Sequence, residues 1–124
     1  MILTAHQPVY LPWLGLFHKI ASADLFCYFD IVQYQRKDYN NRNKIKTSNG
    51  ELWLSVPVES KNHLSKNVSK ILIVQDNWVK KHLKSIELNY KKTPFFKDYF
   101  PELQSILIND SKDSLGHLNL KLLE

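Results

Sequence analysis

The first thirty-odd residues constrain the fold most, because they run through a strand, a proline-framed junction, a helix and a second strand without a break. Ile2-Leu3-Thr4-Ala5 is a short apolar run ahead of Pro8, and it reads as a buried strand that delivers His6 and Gln7 at its carboxyl end. Pro12 suits the first turn of a helix. Trp13, Leu14, Phe17, Ile20 and Ala21 follow at helical spacing, and Asp24 marks the stop. Leu25 to Tyr34 reads as a second, largely buried strand, with Cys27 inside it and Asp30, Gln33 and Tyr34 released near its end. A right-handed crossover makes the two strands parallel. Both carboxyl ends then fall on one edge, which brings His6 and Gln7 toward Asp30 and Gln33.

Beyond this unit, Gln35 to Asn43 is a polar loop. Asn43 to Thr47 and Leu52 to Val58 flank Ser48-Asn49-Gly50-Glu51, where Asn-Gly supplies the positive φ of a tight hairpin, and Pro57 ends the second hairpin strand or puts it on an edge. Glu59 to Lys70 is a Lys/Ser/Asn-rich loop, and Ile71 to Gln75 reads as a short strand. Helical spacing follows at Trp78, Val79, Leu83, Ile86 and Tyr90 from an N-cap at Asn77 or Asp76, ended by Thr93-Pro94. A further helix covers Asp98 to Ile108, and another starts near Ser114. In that last helix Leu115, Leu118, Leu120, Leu122 and Leu123 reach the end of the chain with no stop signal. The expected architecture is α/β: a Rossmann-like three-layer core with a β-hairpin extension and a helical C-terminal part. Residues 1–124 form a single domain that is the truncated N-terminal part of a longer one, with the last leucines exposed and open to self-association.

At 124 residues the chain is long enough to bury a core. No stretch approaches the ~20 apolar residues of a membrane span and no leader precedes the first strand, so a soluble cytoplasmic protein is expected. A single cysteine excludes a disulfide framework and a Cys-based zinc site. The net charge of +5 favours anionic ligands such as nucleotides or phosphorylated sugars. The basic residues are scattered, and no recognition helix or zinc finger frames them, which weighs against nucleic acid. His63, His82 and His117 have no partners at metal spacing, so no metal site is expected. P-loop, G-x-G-x-x-G and G-x-S-x-G motifs are absent.

The side chains able to do chemistry gather around the two strand ends and the hairpin. An imidazole takes or gives a proton at cellular pH, and a carboxylate in reach fixes its tautomer, so His6 with Asp30 forms a general-base pair. Gln7, Tyr10, Gln33, Asn41 and Asn43 supply neutral donors and acceptors for hydroxyls or a base edge. Alternation along the hairpin strand places Arg42, Lys44 and Lys46 on one face, a row suited to phosphate oxygens. Simpler assignments compete with these: a turn-satisfying role for His6 and Gln7, a capping carboxylate at Asp30, and a solvated, edge-guarding row of cations on the hairpin.

Taken in order, His6-Gln7-Pro8, Tyr10-Leu11-Pro12-Trp13-x-Gly15, Lys19-Ile20, Ala23-Asp24, Asp30-x-Val32-Gln33-Tyr34, Asn41-Arg42-Asn43-x-Ile45-Lys46 and Trp53-Leu54-x-Val56-Pro57-Val58 closely resemble the WbqC-like protein family. The likeness continues more loosely through Trp78, His82, Tyr90 and Pro94-Phe95-Phe96. It implies a role in bacterial O-antigen or surface-polysaccharide biosynthesis, by N-acylation of an amino sugar or nucleotide-sugar with an amino acid such as glycine. The enzyme would be an N-acyltransferase or an amide-forming ligase, and the acyl donor and any ATP or metal requirement stay open. A more distant likeness to pantothenate synthetase supports a Rossmann-like layer. The His-x-Gly-His signature of that group is missing, since Pro12-Trp13-Leu14-Gly15 lies in its place. The alternative is a non-catalytic carbohydrate- or nucleotide-binding module.

Overall fold

The computed structural model describes residues 1–124. In chain order it contains β1 (Leu3–His6), α1 (Leu14–Ala21), β2 (Leu25–Tyr28), β3 (Arg42–Thr47), β4 (Gly50–Ser55), α2 (Trp78–Tyr90), α3 (Phe96–Asn109) and α4 (Leu115–Leu123). Short 3-10 turns occupy His63–Ser65 and Val68–Lys70.

The β1-α1-β2 unit forms as its sequence pattern dictates, with β1 and β2 parallel and His6 paired with Tyr28. The Lys19 ammonium donates to the Ala5 carbonyl at 2.8 Å and ties α1 back to β1. β2 ends at Tyr28, six residues before Tyr34. From there the backbone pairs with the segment around the second 3-10 turn: Ser69 N–H donates to Asp30 O (3.1 Å) and Val68 N–H to Val32 O (2.9 Å). These bonds satisfy a chain that would otherwise have to extend β2 along a strand too short to receive it.

The hairpin also forms, with β3 and β4 antiparallel and Thr47 opposite Gly50. Within the hairpin turn, positive φ falls on Gly50 alone, at 111°, with the Thr47 hydroxyl donating to the Gly50 carbonyl at 2.8 Å. Beyond these two pairs the expected three-layer Rossmann-like core does not appear. The parallel sheet has two strands, and β3–β4 is a separate two-stranded sheet. Ile71 to Gln75 makes only isolated bridges, Ile73 with Val58 and Leu72 with Ser114, in place of a strand.

The core lies elsewhere than over the parallel pair. Leu54 and Val56 from the hairpin side meet Trp78, Leu83 and Ile86 of α2, Leu107 of α3, and Leu115 and Leu118 of α4, with Tyr10, Tyr34, Val68, Ile71 and Ile73 between them. α4 therefore corrects the expectation of exposed terminal leucines. Leu115 and Leu118 are fully buried and Leu120, Leu122 and Leu123 half-buried, which leaves this helix no apolar face for self-association. Its start is capped by the Ser114 hydroxyl, which accepts the His117 N–H at 3.2 Å. Gly116 lets α4 approach the 68–70 turn, since a Cβ there would stand 3.2 Å from the Ser69 Cα.

The exposed apolar surface belongs instead to the parallel pair. Strand alternation puts Leu3, Ala5, Leu25 and Cys27 on one face, all exposed, with Leu3 at 61% and Leu25 at 56%. β1 and β2 are thus half-covered rather than buried, and Cys27 is open to solvent. No helix is long and apolar enough to cross a membrane.

Candidate functional site

His6 closes β1 and is half-buried. Its Nδ1 lies 2.8 Å from the Gln7 carbonyl, which can only accept, so Nδ1 carries a proton, and in the neutral ring the lone pair is on Nε2. The Trp13 ring stands edge-on to the imidazole, 5.6 Å between centroids. Asp30 does not supply the expected orientation: no hydrogen bond or ion pair joins it to His6, and the backbone carbonyl of Gln7 holds the ring instead. The neighbour of Asp30 is Tyr28. Burial first, and the Asp30 charge second, push the Tyr28 phenol well above its usual range, and its hydroxyl donates to the Gly116 carbonyl at 2.6 Å. Gln33 is exposed and bridges Asn67 through its backbone.

Tyr10, expected among the ligand-binding groups, is fully buried in the core. Its hydroxyl lies 2.8 Å from His82 Nδ1, while His82 Nε2 lies 3.1 Å from the Ser55 carbonyl. The carbonyl can only accept, so Nε2 bears the proton and Nδ1 accepts from Tyr10. This chain pins the junction to α2 and β4. Burial lowers the His82 pKa to about 4 from the ordinary 6.5. Between those two values the unfolded chain binds a proton that the folded chain refuses, so stability is full above pH 6.5 and is lost as pH falls toward 4. At 1.36 kcal/mol per pKa unit the full loss is roughly 3 kcal/mol, most of it present by pH 4.5. Urea midpoints at pH 7 and pH 4.5 measure it, and His82→Gln, which cannot titrate, should flatten the profile.

On the hairpin, Arg42, Lys44 and Lys46 share one face as alternation requires, but they do not act as one row. Arg42 Nε and Nη2 donate to the carbonyls of Asp38 (3.3 Å) and Lys37 (2.5 Å). Lys44 is taken up by Glu51 at 2.7 Å, an exposed pair worth little in stability. The Lys46 side chain is exposed, and only its backbone N–H is engaged, by the Tyr90 hydroxyl at 2.9 Å. Asn41 and Asn43 serve the backbone. Asn41 Nδ2 donates to the Val56 carbonyl at 2.9 Å. Asn43 Nδ2 donates to the carbonyls of Tyr10 (3.2 Å) and Leu11 (2.8 Å), clamping Leu11 at φ 49°, where a leucine is strained. Asn40, not singled out by its sequence context, is 1% exposed and joins Pro8, Gln35 and Asn119 by hydrogen bonds.

What the structure assembles is an aromatic strip. From His6 it passes to Trp13, then Tyr39 (5.9 Å between centroids), then Trp53 (5.9 Å). Trp13, Tyr39 and Trp53 are each at least 40% exposed, unusual for rings of this size in mutual contact. Arg42 covers the Trp53 ring at 4.2 Å and Lys44 reaches it at 5.0 Å. Trp13, Tyr39 and Asn43 line a cavity of about 320 Å³ on the strip. Gln7 adjoins one end through His6. Asp30 and Gln33 belong to the stretch that pairs with residues 67–69. The sequence marker for the strip is three aromatics at the junction, the polar loop and the hairpin, but nothing local ties them together. No three His, Cys, Asp or Glu side chains come together in a way that could hold a metal ion.

Comparison with known proteins agrees with the ordered motifs. No solved structure matches the chain. It is 37% identical over 117 residues to a Mycobacterium tuberculosis protein named "Uncharacterized protein Rv1507c". That alignment covers 94% of this chain and 51% of the relative, so the chain spans about half the length of the curated relative it matches. The sequence profile of one family matches residues 7–124, from the junction through all four helices, and the chain belongs to that family, the WbqC-like protein family.

Proposed function

We propose that this chain binds an amino sugar, free or as its nucleotide-sugar, along the aromatic strip, and that it N-acylates the sugar in the assembly of a bacterial surface polysaccharide such as O-antigen. The observation that carries the reading is the position of His6 at the end of the strip, with Nδ1 on the Gln7 carbonyl, so that in the neutral ring Nε2 is the base. A sugar ring presents C–H groups to an aromatic face and hydroxyls at its rim, which suits Trp13 and Tyr39. In the step, the sugar amine nitrogen forms an amide bond with the acyl carbon as the bond to the donor's leaving group breaks, and the amine proton passes to His6 Nε2.

Incubating the protein with amino sugars and their nucleotide-activated forms, ATP and amino acids, then reading the sugar by mass spectrometry, tests this. A mass gain equal to an aminoacyl residue is the expected result. Quenching of tryptophan fluorescence by the sugar with no mass gain would replace the reading by a non-catalytic carbohydrate-binding module. The missing His6–Asp30 bond is the observation that favours that second reading.

A further inference from the structure

A second cavity, of about 380 Å³, opens behind Arg42 and away from the Trp53 ring, between the polar loop and the end of β4. Tyr34, Arg36, Lys37, Arg42 and Ser60 line it, and no carboxylate does. Arg36 and Lys37 have no acidic partner, and Arg42 is held by two backbone carbonyls, so its charge is fixed in place but not neutralised. Tyr34 is 4% exposed, yet its hydroxyl makes no hydrogen bond to any protein group and is not sealed from solvent. The Tyr34 ring lines the cavity, and its hydroxyl has no protein partner that would compete with a ligand bound there. Burial raises the Tyr34 pKa while the charges of Arg36 and Arg42 lower it, which places both guanidinium groups in the field of that oxygen. An anion there would accept from a phenol that stays protonated, from the Arg42 guanidinium already held by the backbone, and from Arg36, which is free to turn toward it.

We infer that this cavity is the binding site for a phosphate or diphosphate group, held by Arg36, Arg42 and the Tyr34 hydroxyl. Of the three cations expected from sequence to hold phosphate, Arg42 lines this cavity, Lys44 is paired with Glu51, and Lys46 is exposed and is not part of the lining. Arg42 borders both the cavity and the aromatic strip, so one ligand can place its phosphate in the first and its sugar on the second. The inference rests on the proposed reading to the extent that it makes the ligand a nucleotide-sugar.

Titrating the protein with inorganic pyrophosphate by calorimetry, and separately with glucosamine by tryptophan fluorescence, tests the two independently. Arg36→Gln should weaken pyrophosphate binding by about tenfold and Tyr34→Phe by several-fold, the scale of charge-assisted hydrogen bonds, while Lys46→Gln leaves it within about twofold. Arg36 is exposed and Tyr34→Phe is isosteric, so both variants keep the fold. Equal losses in Arg36→Gln and Lys46→Gln would overturn the inference in favour of the hairpin face, as would no saturable pyrophosphate binding. If glucosamine quenches but pyrophosphate does not bind, the anion site falls and the sugar reading survives. If pyrophosphate binds in an Arg36-dependent way with no response to any amino sugar, the anion site stands and the sugar reading falls.

Discussion

His6→Ala is expected to fold as the wild type does and to acylate its sugar at least about 10²-fold more slowly, the range for loss of a general base. The fold should survive because the His6 side chain is only half-buried and bonds only the carbonyl of its own neighbour. His6→Gln separates the two roles of the ring: its amide can still donate to the Gln7 carbonyl but cannot take a proton, so it should match the alanine variant in rate. Asp30→Asn should change the rate by no more than a few-fold, because no hydrogen bond connects Asp30 to the imidazole. An unchanged rate in His6→Ala, with sugar binding retained, would leave His6 as a junction residue and the strip as a binding surface. Single-turnover acylation followed by mass spectrometry reads these outcomes directly.

Asn40→Ala should cost about 4 kcal/mol of stability, close to the effect of deleting a core side chain. The substitution leaves the Pro8 carbonyl without the donor now at 2.8 Å and the Gln35 N–H without the acceptor now at 3.1 Å, around a residue that is 1% exposed. Each buried or half-buried polar group so orphaned costs on the order of 1–3 kcal/mol. Asn119→Ala is the informative comparison. It removes one bond, from Asn119 Nδ2 to the Asn40 carbonyl, but also removes the Asn119 Oδ1 atom, which is buried with no partner. Its loss should be nearer to 1 kcal/mol. Urea unfolding of the two variants at pH 7 measures the difference. Equal, small losses would mean that the junction is held by Tyr10 and Asn43 and not through Asn40.

The two effects are connected through the junction. Leu11 sits at φ 49° and its carbonyl is held by Asn43, Pro8 is held by Asn40, and Tyr10 is held by His82. These bonds fix where Trp13 emerges beside His6. Part of the chain's polar chemistry therefore acts on the backbone of the site and not on a ligand. Asn43 and Tyr10, both expected at the ligand, belong to that supporting shell by their bonds.

Features with a local cause were readable from the chain. Helical spacing marked α2, α3 and α4, Asn-Gly marked the hairpin turn, and the strand-proline-helix-strand order of the first thirty residues produced a parallel β1–β2 pair. Alternation placed Arg42, Lys44 and Lys46 on one face because the side-chain period of a strand is two whatever surrounds it. Tertiary packing decided the rest, since each outcome depends on groups far apart in sequence. Tyr10 is buried because His82, 72 residues away, offers an acceptor at the right distance. Leu115 and Leu118 are buried, and the last leucines half-buried, because α4 packs against the 68–70 turn and α3 within the core, while the parallel pair keeps an uncovered face. Lys44 spends its charge on Glu51 across the turn, while Arg36 and Arg42 keep theirs beside Tyr34. A single sequence lists which residues can pair or stack; burial and distance in the folded chain select which of those pairings is made.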